Sequence, residues 1–536
     1  MPILHFKGKP VIQNHHHTVK FHELLPDKKK SLSDEPSLDD NLIVHGDNLK
    51  ALKALLPTYA GKVKCIYIDP PYNTGNEGWA YNDNVNSPMI QKWLKEEVGR
   101  DDLARHDKWC CMMYPRLKLL RELLSDEGVI FVSIDDNEAH NLRSMMEEIF
   151  GEDRYVATII WRSADSSNND AKQFSLDHNE TIVFSKNPGW KTNLLDRTDE
   201  DNAHYTNPDD DPRGAWFPGN LSSPNPRENL KYKITSPQGH EISSPANGWR
   251  WSEEVLLEKI EEREVIFSED GKRLIKKTYL VDQKGLAPST LWADIEETGH
   301  NRNAKYELKK IFPEKETADL FKTPKPTKFI KKILDVATSK NDIVLDSFAG
   351  SGTTAHAVLA QNKEDGGNRK FILVEMEDYA DKITAERVRR VIKGIPEAKD
   401  GNLKEGFGGS FSFYKLGDPV DVDDILEGKK LPSYEDLAQY TFYTATGEVF
   451  KPKALDKSKY YLGKSATYQV FMMYEPDADK LREMALNLDF AEEIEKQFPE
   501  EAKLVFAPAC FLEEFDLRDR NIRFAQLPFE IYRLAE

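Results

Sequence analysis

The chain has 536 residues, a formal net charge of −18 at pH 7, and 39% hydrophobic residues. Its length exceeds what one hydrophobic core usually serves, so we expect about three or four folding units. The acidic balance argues against a simple basic nucleic-acid binder, because affinity for phosphates comes largely from lysine and arginine. Residues 301–340 depart from this balance, with eleven Lys or Arg and five Asp or Glu. That surplus predicts either a binding face or an ordinary solvated surface.

Cysteine usage and hydropathy limit the chemistry and the location. The four cysteines form no CxxC pair and have no histidines nearby at zinc-ligand spacing, so we expect reduced thiols and no metal. No stretch has the apolar length of a secretory signal or a transmembrane helix, which predicts a cytoplasmic protein without membrane association. The first forty residues are polar and predict a loose arm, in which His15 to His17 form a solvated strip.

Strands and helices alternate from Leu42 onward. Buried strands are predicted at Val63 to Asp69, Gly128 to Asp135, Asn341 to Asp346 and Phe371 to Glu375, each an apolar run followed by a helical pattern. This alternation is typical of a parallel sheet with helices on both faces. The sequence therefore predicts an α/β fold with a doubly wound, Rossmann-like core.

The predicted core is discontinuous in sequence. Between about Trp161 and Asn301 the alternation fails, and Asn, Asp, Pro, Ser and Trp become frequent. After Gly394 a stretch rich in Gly and charge precedes a final domain. The predicted division is an N-terminal arm at 1–40, a first core half at 41–160, an inserted domain at 161–301, a second core half at 302–394, and a C-terminal domain at 395–536.

The most specific motif is Asp69-Pro70-Pro71-Tyr72, at the carboxyl end of a predicted buried strand, where ligands bind in open α/β sheets. An exocyclic amino group on an aromatic base is a poor nucleophile, because its lone pair is delocalised into the ring. The Asp69 carboxylate and the Pro70 carbonyl could accept its two N–H groups, and the prolines hold that carbonyl in place. Tyr72 would stack on a base taken out of the duplex. The motif predicts methylation of a base amino group.

A second motif, DSFAGSGT, begins at Asp346 and joins a strand to a helix. Its small residues let the backbone approach a ligand, and the following helix N-terminus favours an electronegative group. It lacks the lysine of a phosphate-binding P-loop and does not spell GxGxxG, which counts against nucleoside triphosphates and dinucleotides. Its candidate ligand-binding residues are Asp346, Phe348, Ala349, Gly350, Gly352 and Thr353.

Two further positions fit the same ligand. Glu375 ends the next strand and is placed to accept hydrogen bonds from ribose hydroxyls. Thr323 and Lys325 belong to a proline-rich loop, FKTPKP, that could close off the other end of a cofactor. The two strand ends and the loop together predict one ligand site.

With these motifs, the chain resembles the amino-methylating DNA methyltransferases in which DPPY precedes FAGSG. The strings DPPYNTG, HGDNL, HNETIVFSK, FKTPKP and GGSFSFYKLG are similar to those of the modification subunits of Type III restriction-modification systems. The resemblance implies S-adenosylmethionine as methyl donor, catalytic roles for Asp69, Pro70, Pro71 and Tyr72, and cofactor contacts that include Asp47 and Asn48. It also implies that the insert recognises the target in double-stranded DNA.

Family membership further implies a homodimer and a helicase-nuclease restriction subunit as partner. The expected product is N6-methyladenine, while cytosine N4 is the alternative target because its chemistry is nearly the same. An orphan methylase without a restriction partner would carry the same motifs. A non-catalytic DNA-recognition subunit and an RNA or protein methyltransferase are competing hypotheses. The intact motifs and the large insert favour the DNA enzyme.

Overall fold

The computed structural model describes residues 3–75, 104–420 and 431–527. The chain divides into two compact units, one formed by residues 1–191 together with 289–536 and the other by residues 192–288. In the described residues, no helix is both long and apolar enough to span a membrane.

The strands, numbered in chain order, have the following bounds. They are β1 His22–Pro26, β2 Leu42–His45, β3 Val63–Ile68, β4 Leu124–Ile134, β5 Tyr155–Arg162, β6 His178–Ser185, β7 Trp216–Gly219, β8 Lys233–Thr235, β9 Glu241–Ser243, β10 Val265–Phe267, β11 Leu274–Tyr279, β12 Leu291–Trp292, β13 Ile343–Asp346, β14 Lys370–Glu375, β15 Ser412–Pro419, β16 Tyr461–Lys464, β17 Gln469–Met472, β18 Ala485–Leu486, β19 Lys503–Ala507, β20 Ala509–Cys510 and β21 Ile522–Gln526.

The α-helices are numbered in the same way. They are α1 Lys9–Ile12, α2 His15–Thr18, α3 Asn48–Tyr59, α4 Arg105–Leu123, α5 Ala139–Phe150, α6 Asp199–Asn202, α7 Glu253–Glu261, α8 Ile295–Thr298, α9 Asn301–Ile311, α10 Thr327–Ala337, α11 Thr353–Asp365, α12 Glu386–Lys393, α13 Gly401–Glu405, α14 Tyr434–Thr446, α15 Ala478–Glu483, α16 Leu488–Gln497 and α17 Glu514–Asp519. A π-helical turn, Ala380–Ala385, leads into α12.

A ten-stranded sheet forms the centre of the larger unit, in the order β1-β15-β2-β14-β13-β3-β4-β6-β5-β12. Its middle, from β15 to β4, is parallel throughout. The two halves of the predicted core meet between β3 and β13, where Val344 pairs with Cys65 and Leu345 with Ile66. The discontinuous, doubly wound core predicted from the sequence is therefore confirmed, and the two motifs emerge from neighbouring strand ends.

Apolar patterning explains why these elements form. The β3 sequence VKCIYI is buried at every position except Lys64, as expected of a central parallel strand covered on both faces. Helix α10 buries Phe329, Ile330, Ile333 and Leu334, which lie on one face at helical spacing. Burial of these side chains supplies most of the stabilisation of the core.

The prediction that residues 1–40 form a loose N-terminal arm is wrong. Strand β1 pairs antiparallel with β15 and completes one edge of the central sheet. Ile12, Val19 and Phe21 are buried, and His16 is only 5% exposed. Burial, with a smaller contribution from His17, lowers the pKa of His16 from 6.5 to about 3. His15 and His16 are buried and His17 is exposed, so the prediction of a solvated strip is wrong for the first two histidines. Single apolar residues spaced through polar sequence anchor this segment, and average composition does not reveal them.

The smaller unit, residues 192–288, has its own hydrophobic core and two small sheets, β10-β11-β7 and β8-β9. The insert predicted at 161–301 is wider than this unit. Strand β6 pairs with both β4 and β5, and β12 pairs with β5, so all three belong to the central sheet. Strand β6 is antiparallel to both of its neighbours, whereas β12 is parallel to β5, and neither follows the helix-strand alternation on which the predicted boundary depended.

The C-terminal domain predicted at 395–536 is not separate either, because β15 lies inside the central sheet next to β2. Beyond it, β16-β17-β19-β21 form a four-stranded sheet with its own apolar cluster. A second cluster joins that sheet to Phe21 and Ala54. Residues 289–536 accordingly form one compact unit with residues 1–191.

Candidate active site

A cleft of about 1040 Å³ opens at the carboxyl ends of β3, β13 and β14. Fourteen of the fifteen predicted site residues line it, namely Asp47, Asn48, Asp69, Pro70, Pro71, Tyr72, Thr323, Lys325, Asp346, Phe348, Ala349, Gly350, Thr353 and Glu375. The fifteenth, Gly352, precedes helix α11 as its N-cap residue in a left-handed conformation, with φ of 78°. Residues far apart in sequence thus share one site, because parallel strands end at the same edge of a sheet.

The acidic end of DPPY forms a compact polar group. The Tyr72 hydroxyl donates to Asp69 Oδ1 at 2.8 Å, and Lys325 Nζ lies 2.5 Å from Asp69 Oδ2. The same ammonium is 3.0 Å from the Tyr72 hydroxyl and 5.2 Å from the centre of its ring. Both oxygens of Asp69 are therefore engaged, and burial raises the pKa of Tyr72 well above its usual range, which keeps its hydroxyl a donor.

The position of Lys325 differs from its predicted role. The sequence places it with the cofactor residues, and the structure places its ammonium on the carboxylate of Asp69. Lys325 is one of eleven basic residues in the 301–340 stretch. Three others also form ion pairs, namely Arg302 with Asp165, Lys331 with Glu364 and Lys332 with Glu297. Part of the local positive surplus is thus neutralised within the chain.

Backbone and side chains of neighbouring elements hold DPPY from behind. Trp109, fully buried on α4, donates its indole N–H to the Pro71 carbonyl at 2.7 Å. Asn73 follows Tyr72 with φ of 60°, a left-handed conformation that asparagine tolerates better than most residues. These contacts fix the direction in which Tyr72 leaves the strand.

The second motif surrounds two buried carboxyl groups. Asp346 accepts hydrogen bonds from the Thr354 hydroxyl at 2.5 Å and the Phe348 amide at 3.0 Å. Glu375 accepts from the amides of Gly350, at 2.8 Å, and Glu377, at 3.0 Å. Burial raises the pKa of each acid to about 7, for Asp346 from 3.8 and for Glu375 from 4.5. A buried acid with a raised pKa in a cleft favours a cationic or hydroxyl-rich ligand.

The turn after β2 also faces the cleft. The Asn48 side-chain amide donates to the Ser347 carbonyl at 3.0 Å, and this hydrogen bond connects the turn to the FAGSG loop. Arg116, 4% exposed, donates to Asn48 Oδ1 at 2.6 Å and lies 3.7 Å from Asp47. No sequence pattern points to Arg116, because in the sequence it is one basic residue in an amphipathic helix.

The sequence also did not reveal two aromatic residues that line the cleft and one buried arginine that supports the FAGSG loop. Phe321 and Tyr379 line the cleft with their rings 5.5 Å apart, nearly edge to face. Arg387 is fully buried and donates to the hydroxyls of Ser351, at 2.9 Å, and Thr353, at 2.7 Å. Phe321 opens the string FKTPKP and could have been found there, whereas nothing in the sequence links Arg387 to residues 34 and 36 positions earlier.

Comparison with known proteins agrees with this geometry. A family described as DNA methylase, of the N6 and N4 methyltransferases, matches residues 63–386. The StyLTI Mod subunit of a Type III restriction-modification enzyme from Salmonella typhimurium strain LT2 is 34% identical over 78% of this chain and 68% of its own length. The EcoPI Mod subunit of Escherichia phage P1 is 31% identical over 72% of this chain and 67% of its own.

Among solved structures, the cytosine-N4-specific PvuII DNA methyltransferase matches with 13% identity and a TM-score of 0.35, over 65% of this chain and 86% of its own. The family match spans both motifs, the strands that carry them and every residue that lines the cleft except Asp47 and Asn48. The chain is therefore a member of the amino-methylating DNA methylase family, to which the Mod subunits of Type III restriction-modification enzymes also belong.

Proposed function

We propose that the chain transfers a methyl group from S-adenosylmethionine to the N6 nitrogen of adenine in double-stranded DNA, as the modification subunit of a Type III restriction-modification system. The observation that carries this proposal is the convergence of DPPY and FAGSG on one cleft, with Asp69 and Tyr72 joined by a hydrogen bond. The names of the similar Mod subunits support the assignment to such a system.

The base side of the site would work through Asp69, Pro70 and Tyr72. A base paired in a duplex cannot present its amino group, so the target must be flipped out, and the Tyr72 ring offsets part of the stacking that is lost. Asp69 and the Pro70 carbonyl would accept the two N–H groups and so direct the nitrogen lone pair at the methyl carbon. Lys325 Nζ already contacts Asp69 Oδ2, so the amino group would share that carboxylate with the ammonium or displace it.

The residues on the other side of the cleft fit the cofactor. S-adenosylmethionine, when bound, would supply an electrophilic methyl group on a cationic sulfur; as the carbon–nitrogen bond forms, the carbon–sulfur bond would break, releasing S-adenosylhomocysteine, and the nitrogen would lose one proton. Glu375 is placed at a strand end to accept ribose hydroxyls, and Phe321 and Tyr379 offer aromatic faces to an adenine ring. Burial raises the pKa of Asp346 to about 7, and a cation bound beside it would favour the ionised carboxylate that complements its charge. Positioning and amino-group polarisation supply the acceleration in this scheme.

The direct test is methyl transfer by the purified protein. We would incubate it with labelled S-adenosylmethionine and unmethylated genomic DNA, then identify the methylated nucleoside by mass spectrometry. N6-methyladenine is the expected product. N4-methylcytosine would assign the other base, and tight DNA binding without transfer would favour a recognition subunit that does no chemistry.

We further propose that the unit at 192–288 recognises the target sequence. It lies in sequence between the catalytic and cofactor motifs, and it carries a cluster in which three cationic side chains surround one aromatic ring. The charged groups of Arg250, Lys259 and Lys276 lie 5.2 to 5.9 Å from the centre of the Trp251 ring. Cations interleaved with an aromatic residue suit contacts to phosphates and bases.

The assembly proposed from the family resemblance is a homodimer that also binds a helicase-nuclease restriction subunit. We expect light scattering on the purified protein to give twice the chain mass of 61.5 kDa. A mass that stays at one chain across micromolar concentrations would reject the homodimer.

Cofactor affinity should depend on pH because of the buried acids. Glu375 has its pKa raised by burial to about 7, so it is protonated below that pH, while ribose hydroxyls and a cationic ligand favour its ionised form. Binding must then release a proton at low pH, and affinity should fall about tenfold between pH 8 and pH 6. Calorimetric titration with S-adenosylmethionine measures this. Glu375→Gln should bind more weakly at pH 8 and show a smaller pH dependence; an unchanged dependence would contradict the assignment.

A further inference from the structure

A buried carboxylate lies behind the DPPY segment without lining the cleft. Glu138 is 0% exposed and occupies the turn between β4 and α5, next to the strand that ends in DPPY. Its side chain accepts hydrogen bonds from His106 Nδ1 at 2.6 Å, from Asn141 Nδ2 at 2.8 Å and from Asn73 Nδ2. Of these donors, Asn73 is the residue directly after Tyr72.

We propose that Glu138 is a positioning residue for methyl transfer, which fixes the DPPY segment through its hydrogen bond with Asn73. The inference rests on the proposed roles of Asp69 and Tyr72. Glu138 would not touch substrate or cofactor, and it would act by holding the backbone turn that aims Tyr72 into the cleft.

The conformation of Asn73 gives this contact its importance. Its backbone is left-handed, with φ of 60°, and its side chain is 0% exposed. Asparagine adopts a left-handed backbone more readily than most residues, but the conformation still costs free energy that surrounding contacts offset. Its Oδ1 atom has no hydrogen-bond partner among the described residues, so the Nδ2 contact with Glu138 is the hydrogen bond that orients its side chain there.

Helix α4 supports both sides of the segment. His106 binds Glu138, and Trp109, one turn later on the same helix, donates to the carbonyl of Pro71 at 2.7 Å. The DPPY segment is thereby held at its second proline and at the residue after its tyrosine. Displacement of a reacting group by about 1 Å can cost roughly a hundredfold in rate, so loss of one support should appear in kcat.

The donor and acceptor roles in this pair allow a swap experiment. Asn73→Asp would set a carboxylate against the carboxylate of Glu138, in a site that excludes water, and should lower kcat by about a hundredfold. Glu138→Gln alone keeps one acceptor oxygen and should cost less. The double variant reverses the pair, since the new amide can donate to the new carboxylate, and should recover most of the lost kcat while KM for the cofactor stays near that of the wild type.

Glu148→Gln is the matched control on α5. Glu148 is partly buried and, like Glu138, accepts hydrogen bonds from side-chain donors, Lys9 at 2.7 Å and Tyr114 at 2.8 Å, but it has no contact with Asn73. Melting temperature and calorimetric binding of S-adenosylmethionine would confirm that each variant is folded. If Asn73→Asp does not fold, the test is the comparison of kcat between Glu138→Gln and Glu148→Gln, in which Glu138→Gln should be the slower variant.

The inference is overturned if folded Asn73→Asp keeps the wild-type kcat, or if the double variant is no more active than Asn73→Asp. It is also overturned if Glu138→Gln and Glu148→Gln lose activity equally. Absence of methyl transfer by the wild type would instead reject the proposed function, so the two failures are distinguishable.

Discussion

Asp69→Ala is expected to abolish methyl transfer while the protein still binds S-adenosylmethionine. Asp69 accepts the Tyr72 hydroxyl and the Lys325 ammonium, and it is the only carboxylate in the DPPY motif. Without it, the target amino group loses the anionic acceptor that orients its lone pair, and effects of this kind cost about 100- to 1000-fold in kcat. Labelled-methyl incorporation into DNA measures the loss, and calorimetry with the cofactor shows that the rest of the cleft is intact.

Asp342→Ala provides the control for this variant. Asp342 directly precedes β13, at the end of the strand that is far from the cleft. Its carboxylate accepts a hydrogen bond from the Ser339 amide. It should retain wild-type activity. Transfer by Asp69→Ala within about tenfold of the wild type would reject Asp69 as the group that orients the amino nitrogen.

Gly350→Val should eliminate cofactor binding and, with it, all transfer. Gly350 is left-handed, with φ of 50°, and a Cβ at this position would lie 2.9 Å from Phe321 Cζ. Its amide donates to Glu375, so a shifted backbone would also break the contact that orients this acid. A β-branched side chain cannot be accommodated there without moving the FAGSG loop. We expect cofactor affinity to fall by at least about a hundredfold, which corresponds to roughly 3 kcal/mol of binding free energy.

Gly366→Val separates backbone strain from obstruction of the site. Gly366 follows helix α11 with φ of 67°, and a Cβ there would meet nothing within 4 Å. The substitution should lower the melting temperature through the same left-handed strain but leave cofactor affinity unchanged. If both variants lose cofactor binding alike, the close approach of Gly350 to Phe321 is not the cause.

The sequence predicted the centre of the fold, and nearly all of the site residues that it singled out line the cleft. DPPY and FAGSG each follow an apolar run, and the rule that parallel strands end at one edge brings Asp69 and Gly350 together without any coordinates. Local pattern was sufficient for both motifs, because the residues within each motif are contiguous in the chain. The resemblance to known methyltransferases added the turn at Asp47 and Asn48.

The supporting residues could not be predicted, because their roles depend on long-range side-chain contacts. Glu138 and Arg387 are ordinary charged residues in a helical pattern, and each becomes important only through partners on other elements. The same reason explains the error at 161–301, where β6 joins the central sheet by antiparallel pairing with β4. Periodicity identifies a strand but does not identify its neighbour in the sheet.

The pairing of β3 with β13 determines when activity can appear during synthesis. DPPY is translated early. Strand β13, whose Val344 pairs with Cys65 of β3, emerges from the ribosome only after the whole smaller unit. Contacts of such large sequence separation form late, since closing the intervening chain must precede them. A nascent chain therefore has no cofactor site until residues near 375 have been translated. Partly synthesised copies should neither consume S-adenosylmethionine nor modify the genome.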